Sequence, residues 1–349
     1  MNIAVLALAI LWLALIAYAV LGGADFGAGI WDLLAIGPQR ARHRELINHA
    51  IGPVWESNHV WLIFLIVGLF TVFPSAFATL SIALFLPLTI ALIGIVLRGA
   101  AFIFRTYEVD TSNRTTEIWS RVFSVTSLIT PFFLGASAAA VASGQLQSSP
   151  AAVQANLGSA WLSPFALSIG AMAVTMFATL AAIYLTLEAT RSEEPDLAGV
   201  YRTRALIGGA VTALFGALGL LLSISEAPLL WHGMLSRAWP VVIATMLIGL
   251  ATAVLLYTRR YRLARLMVIL ETAFLLGSWG LSQYPYLIPP YVTIANAAND
   301  PSVITALVIA IVIGMAILIP SLYYLFSVFK LARPVPGLVH EAEQKEMNT

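Results

Sequence analysis

Long, continuous runs of apolar residues dominate this chain, and short polar turns separate them. The runs do not alternate apolar and polar residues, as the strands of a membrane barrel would. Each approaches or exceeds the ~20 residues that a helix needs to cross the hydrocarbon core of a bilayer. The pattern predicts nine transmembrane helices, near residues 2–36, 46–73, 76–104, 118–143, 161–188, 204–224, 239–258, 263–282 and 302–328.

Composition supports a polytopic α-helical membrane protein. The 349 residues are 60% hydrophobic and only 10% charged, and the mean hydropathy is +0.90. Ala17-Tyr18-Ala19 looks like a signal-peptide cleavage site, but the first nineteen residues contain no Lys or Arg. We therefore expect a retained first helix. The net charge of +1 indicates no nucleic-acid partner, and the absence of Cys excludes disulfides and thiolate metal sites.

The distribution of Lys and Arg predicts the orientation in the membrane. Seventeen of the 18 basic residues fall in or beside alternate turns and the C-terminal tail, and only Arg237 falls on the opposite side. Because cytoplasmic loops carry the excess of Lys and Arg, the N-terminus is predicted outside and the C-terminus inside.

Two acidic residues of the first helical hairpin are predicted to lie within or against the membrane. Asp25 stands in Gly-Gly-Ala-Asp-Phe-Gly-Ala-Gly and Glu56 in Pro-Val-Trp-Glu-Ser-Asn-His. A charged residue inside a membrane costs roughly 2.5–3.5 kcal/mol on insertion scales, so each needs a partner or a function. If the basic turn between them joins antiparallel helices, residues whose numbers add up to about 81 lie at one depth. Asp25 and Glu56 satisfy this condition.

Asp32 and His49 satisfy the same condition and are predicted to lie about 10 Å nearer the cytosol. For this second pair, solvated capping and proton conduction are both open.

Arg98, in the third span, is predicted in the layer of Asp25 and Glu56, and His59, Asn58 and Trp55 add polar groups beside Glu56. An acid cluster with an arginine can exchange protons, or it can simply hold helices together.

Glu271, in the middle of the eighth span, is either a second proton-active site or a hydrogen-bonding group between helices. The five His do not recur as pairs on facing helices, and the Met residues look like packing. The sequence therefore predicts no haem or other metal centre in this chain.

These motifs resemble subunit II of the cytochrome bd-type quinol oxidases. The resemblance rests on Gly23-Ala24-Asp25-Phe26-Gly27-Ala28-Gly29, on residues 53–61 around Glu56, and on Leu97-Arg98 with Phe104-Arg105. The predicted nine-span plan matches the family over nearly the whole chain. The family has an acid assigned to a proton path at the position of Glu56, and Asp25 matches the acid of its first motif. Glu271 matches no family role.

The resemblance implies an all-α fold of two four-helix bundles plus one peripheral helix. The bundles would comprise residues 1–143, with the acidic motifs, and 144–282. Residues 283–328 would form an outer loop and the ninth helix, and residues 329–349 a cytosolic tail.

It also implies a multi-pass protein of a prokaryotic cell membrane. Its partner would be a haem-bearing subunit I, in a complex that oxidises quinol and reduces oxygen to water. The quinone used, small accessory subunits and bound lipid are left open.

Three hypotheses follow for function. The leading one is a non-haem subunit that stabilises its partner and supplies cytosolic protons through Asp25, Glu56 and His59. The second is a purely structural scaffold in the same complex. The third is a proton-coupled transporter working alone, although the chain shows no corresponding pair of Gly/Pro-broken spans.

Overall fold

The computed structural model describes residues 2–51, 55–107, 113–146 and 160–331; side chains at a few helix ends, those of residues 55–57 among them, are not described. Most of the expected cytosolic tail 329–349 and most of the loop 144–160 therefore lie outside the described residues. The chain divides into two units, Met1–Asn299 and Asp300–Thr349.

Helices form nearly all of the first unit, which confirms the all-α class. They are α1 (Ile3–Leu33), α2 (Arg40–Ile51), α3 (Trp55–Val72), α4 (Pro74–Ala83), α5 (Phe85–Tyr107), α6 (Asn113–Ser143), α7 (Pro164–Arg191), α8 (Pro195–Glu226), α9 (Pro228–Gly233), a π-helix (Met234–Ala238), α10 (Trp239–Tyr257), α11 (Tyr261–Gln283) and the short α12 (Ile294–Ala297). Two short antiparallel strands, β1 (Tyr286–Ile288) and β2 (Val292–Thr293), precede α12.

Helix α1 is central to the packing, because it contacts α3, α6 and α7. The α1–α7 contact is close: a Cβ atom on Gly27 would collide with the backbone carbonyl of Phe177. Nearby, the indole of Trp31 donates a 2.7 Å hydrogen bond to the carbonyl oxygen of Ala178. Small residues in α1 thus allow two membrane helices to approach at backbone distance.

Among the described residues, eight helical segments, one of them the continuous path Pro228–Tyr257, are long and apolar enough to cross a membrane. The count rises to nine if α3 and α4, which meet at a bend of 119°, form one span. The predicted second and third spans therefore differ from the structure. Pro74 has no amide hydrogen and cannot continue α3, so the chain turns at Phe73. The helix that corresponds to the predicted third span is α5, which begins only at Phe85.

The segment before α10 is more regular than the sequence indicated. The seventh predicted span began at residue 239, but the helical path starts at Pro228 and passes through the π-helix to Tyr257. The predicted outer loop 283–301 contains the two strands and α12, which a capping box of Thr293 and Asn296 begins. The Pro-rich composition of this segment gave no indication of the two antiparallel strands.

The second unit contains α13 (Pro301–Leu331), a 31-residue helix with Pro320 inside it. Asp300 precedes it and accepts a 2.8 Å hydrogen bond from the backbone amide of Ser302. This bond, together with the Ser302 hydroxyl, holds the pKa of the Asp300 carboxyl below its usual value. The prediction of two four-helix bundles, and that of the orientation, remain predictions.

Candidate functional site: a buried acid–arginine cluster

Asp25 lies in the closely packed part of α1 and is only 4% exposed. The side-chain amide of Asn58 on α3 donates a 2.5 Å hydrogen bond to its carboxylate. The same amide lies 3.4 Å from the carbonyl oxygen of Leu21. Residue numbers in these two contacts add up to about 81, so the register predicted for the hairpin holds here. The register also brings Gly68 of α3 against Leu11 of α1.

Arg98 of α5 is the cation of this cluster and is 1% exposed. Its Nε donates a 3.2 Å hydrogen bond to the hydroxyl of Ser127 on α6. Its guanidinium lies 4.9 Å from the ring centre of Phe26 and 5.0 Å from that of Phe123. Its charge acts on the carboxylate of Asp25. The aromatic faces and the nearby anion together make a buried guanidinium tolerable.

Three polar atoms at this cluster are buried and have no hydrogen-bond partner among the described residues: Tyr18 Oη, His59 Nδ1 and one terminal nitrogen of Arg98. The His59 ring centre lies 6.2 Å from that of Tyr18 and 6.3 Å from that of Phe26. Buried polar groups in proteins are usually satisfied by protein or by ordered water. The cluster therefore has the polar lining that bound water requires.

Glu56 and Trp55 cannot be placed in this cluster, because their side chains lie outside the described residues. Their backbone is in the first turn of α3, shortly before Asn58. The prediction that Glu56 meets Asp25 stays a prediction.

Asp32 belongs to a second, separate group of charges. Its carboxylate accepts hydrogen bonds from Arg44 of α2 at 3.1 Å, Arg105 of α5 at 3.2 Å and Ser124 of α6 at 2.8 Å. The Asp32 side chain is fully buried. Solvated capping, one of the two alternatives for this residue, is therefore wrong: Asp32 ties α1 to α2 and α5 through ion pairs and to α6 through a hydroxyl hydrogen bond.

The structure does not bring His49 to Asp32. The His49 side chain is 66% exposed, and its Nε2 lies 3.7 Å from Glu188 on α7. The hairpin register fails here because α2 is a separate helix from α3, so its residues do not continue the same line.

Glu271 lies in the interface between α11 and α10. A Cβ atom on Gly249 would lie 2.7 Å from one of its carboxylate oxygens. Both alternatives for this residue, a second proton-active site and a hydrogen bond between helices, stay predictions.

Sequence reasoning missed Tyr18 and Ser127. Tyr18 stands seven residues before Asp25, on the same face of α1, and this spacing was a usable signal. Ser127 gave no such signal, because the hydroxyl of a serine in an apolar helix usually donates to a carbonyl of its own helix. The Ser127 hydroxyl does so to the carbonyl oxygen of Phe123, at 2.7 Å. Within the part of the chain that the structure describes, no group of three or more His, Asp or Glu is placed to hold a metal ion.

Long apolar helices around a buried acid–arginine cluster define an α-helical membrane protein with charged groups inside the bilayer. Comparison with known families then gives the particular family: the chain belongs to cytochrome bd terminal oxidase subunit II, which matches residues 3–329. The resemblance drawn from the motifs is confirmed.

Individual relatives agree with this assignment. A Bacillus subtilis protein named "Putative cytochrome bd menaquinol oxidase subunit II" is 23% identical over 334 residues, covering 93% of this chain and 95% of the relative. The Escherichia coli cytochrome bd-I ubiquinol oxidase subunit 2 is 30% identical over 179 residues, covering 49% of this chain and 45% of the relative.

A solved structure of bd oxidase from Geobacillus thermodenitrificans shares the fold. Its TM-score is 0.73 at 24% identity, and the match covers 95% of this chain and all of that chain.

Family membership makes the chain a subunit of a cytochrome bd quinol oxidase, an oxidoreductase complex of the bacterial cytoplasmic membrane. A subunit II implies a subunit I as its partner. The hypothesis of a transporter working alone loses its support.

Proposed function

We propose that this chain is the non-haem subunit of its oxidase, which stabilises a haem-bearing subunit I and conducts protons toward the site of oxygen reduction. The carrying observation is the cluster of Asp25, Asn58 and Arg98, buried among polar atoms without protein partners in the described chain. Reduction of oxygen to water consumes protons, so such a complex needs a proton path to a buried site.

Within the cluster, the residues have different roles. The carboxyl group of Asp25 takes up and releases the proton, because Arg98 keeps its charge at all relevant pH. Asn58 holds the carboxyl in position, and Arg98 supplies the neighbouring positive charge. Tyr18 and His59 supply the polar wall along which water can connect Asp25 with its surroundings. Glu56 is proposed as the next group in the relay, on the family resemblance alone.

The haems are proposed to belong to subunit I, where they would supply electron transfer and oxygen chemistry. Three of the described histidines of this chain have other surroundings. His43 bonds Tyr201 at 3.1 Å, His49 approaches Glu188, and His59 lies between Tyr18 and Phe26. None of these placements pairs two histidines across a space for a haem.

The test is Asp25→Asn in the intact complex. Asparagine keeps the shape and an oxygen that can accept from Asn58, but it carries no transferable proton. We expect oxygen consumption per haem to fall about 100-fold, the size of a lost acid–base group. The yield of complex also falls, because the buried Arg98 loses its neighbouring negative charge, so turnover is measured per haem in the complex that assembles. Glu56→Gln is expected to lower turnover per haem in the same way. Glu271→Gln is the comparison variant, because it also removes a membrane acid but lies between α10 and α11. Normal turnover in that variant would assign the loss in Asp25→Asn to the acid–arginine cluster rather than to the loss of any membrane acid.

The second candidate function is that of a structural scaffold. The ion pairs of the buried Asp32 support a contribution of this kind to the stability of the complex. A pure scaffold predicts that Asp25→Asn lowers the yield of complex while the surviving complex keeps normal turnover. Normal turnover per haem at all pH values would reject the relay.

A further inference from the structure

We propose that the arginine-rich turn between α10 and α11 binds the phosphate of an anionic membrane phospholipid. The site is built from residues that neither the acid–arginine cluster nor the Asp32 group uses. It lies where the turn of residues 258–260 faces the turn of residues 192–194 between α7 and α8.

A cavity exists at this place. Its volume is about 290 Å³, and its lining includes Arg202, Arg259, Tyr261 and Glu193. A second cavity of about 280 Å³ continues from it along Arg259, Arg260 and Arg262. Arg259 and Tyr261 line both, so the two form one elongated depression beside the helix ends.

The cavity has an excess of positive charge. In the residues that the structure describes, no ion pair involves Arg259, Arg260 or Arg262, and all three are exposed. The buried Nε of Arg202 likewise has no hydrogen-bond partner there. Arg202 is also held by Tyr257, whose carbonyl oxygen lies 3.4 Å from one of its terminal nitrogens. The three exposed guanidinium groups without ion pairs, together with the free Nε of Arg202, form a site for a phosphate, which their planar donors match well.

Acidic residues at the rim do not cancel this charge. Glu194 forms an ion pair with Arg42 and is thereby neutralised. Glu193 remains, opposed by Arg202 and Arg259 on the same wall. The net positive charge of the lining favours a ligand with net negative charge. A zwitterionic headgroup would be bound less strongly.

The surface next to the cavity is apolar and exposed, which identifies the ligand as a lipid. Tyr257 is 73% exposed, Leu263 46% and Leu266 50%. These side chains flank the arginine turn on α10 and α11, in spans long and apolar enough to cross a membrane. A phospholipid can place its phosphate in the cavity and its acyl chains along these residues, as basic pockets between membrane helices do.

The test compares lipid retention in the purified oxidase complex by native mass spectrometry, with phosphatidylglycerol and phosphatidylcholine as probes. The double variant Arg259→Gln/Arg260→Gln removes two exposed charges. We expect phosphatidylglycerol affinity to fall about fivefold for each arginine removed, with no change for phosphatidylcholine. The variant Arg259→Lys/Arg260→Lys should regain most of the binding.

Arg121→Gln is the matched control, because Arg121 is 73% exposed and lies away from the cavity, paired with Glu117. It should retain phosphatidylglycerol as the parent does. Equal retention in the double variant and the parent would overturn the proposal, as would an equal loss in the Arg121 variant. Retention of inorganic phosphate without retention of phosphatidylglycerol, lost in the double variant, would show a phosphate site and reject the lipid.

Discussion

The side-chain amide of Asn58 on α3 donates a 2.5 Å hydrogen bond to the buried carboxylate of Asp25 on α1. This bond joins the two helices of the first hairpin at a depth where water cannot compete freely. It also gives the carboxylate a neutral donor in addition to the charge of Arg98. The same contact therefore serves both helix packing and the proposed relay.

Asn58→Leu should destabilise the complex by about 1–3 kcal/mol, because it leaves a buried acceptor without its donor. Thermal unfolding of the purified complex measures the change. The control is a double-mutant cycle with Asp25→Leu. That variant leaves Arg98 without its counter-charge and should lose about 3–5 kcal/mol by itself. Adding Asn58→Leu to it should cost little more, because the acceptor of the Asn58 amide is already gone. Purely additive losses would show that the two side chains are not coupled.

Asp32→Asn should be more damaging, by about 3–5 kcal/mol, because it leaves Arg44 and Arg105 without their buried counter-charge. We expect a lower midpoint of thermal unfolding and a lower yield of complex. Glu117→Gln is the matched control: Glu117 also bridges two arginines, but its side chain is 41% exposed. Exposed ion pairs contribute little, so this variant should behave as the parent. Equal losses in the two variants would mean that burial of Asp32 does not matter.

The sequence predicted the part of the site that depends on regular helix geometry. Asp25 and Asn58 meet because α1 and α3 are antiparallel and continuous at that level, as the hydrophobic pattern indicated. Asp32 and His49 do not meet, because α2 is an independent short helix and its register is not that of α3. A one-dimensional pattern shows that residues are polar or apolar, but not where a helix restarts.

Partners contributed by distant segments could not be predicted. Ser127 and Ser124 reach Arg98 and Asp32 from α6, and no local spacing connects them. The break at Pro74 carried a signal in the proline itself. The start of α5 at Phe85 gave no signal in the sequence, because Leu84 and its neighbours are as apolar as the helices on either side.

Gly27→Ala should prevent normal packing of α1 against α7. A Cβ atom there would collide with the backbone carbonyl of Phe177, which cannot move aside as a flexible side chain can. We expect the free energy of unfolding to fall by about 1–3 kcal/mol, as is typical of overpacking. This loss would be seen as a strongly reduced yield of complex. Gly277→Ala is the control, because its Cβ would have no neighbouring atom within 4 Å in the described chain. A normal yield for Gly27→Ala would mean that α1 and α7 are further apart than described here.

The last prediction concerns pH and the contact between α2 and α8. His43 is 5% exposed, and its Nδ1 lies 3.1 Å from the hydroxyl of Tyr201. Burial lowers the pKa of His43 below its usual 6.5, and the positive charges of Arg204 and Arg42 lower it further. The folded state therefore favours the neutral ring.

Below about pH 6.5 the unfolded segment binds a proton that the folded one does not, so folding of α2 loses stability as the pH falls. Above that pH the stabilisation is fully present. Hydrogen exchange of the α2 amides in the complex, corrected for its intrinsic pH dependence, should become faster between about pH 7.5 and 5.5. His43→Gln should abolish this acceleration, since glutamine does not titrate. His49→Gln, an exposed neighbour on the same helix, should retain it. An unchanged acceleration in His43→Gln would assign the pH dependence to another group and remove His43 from the explanation.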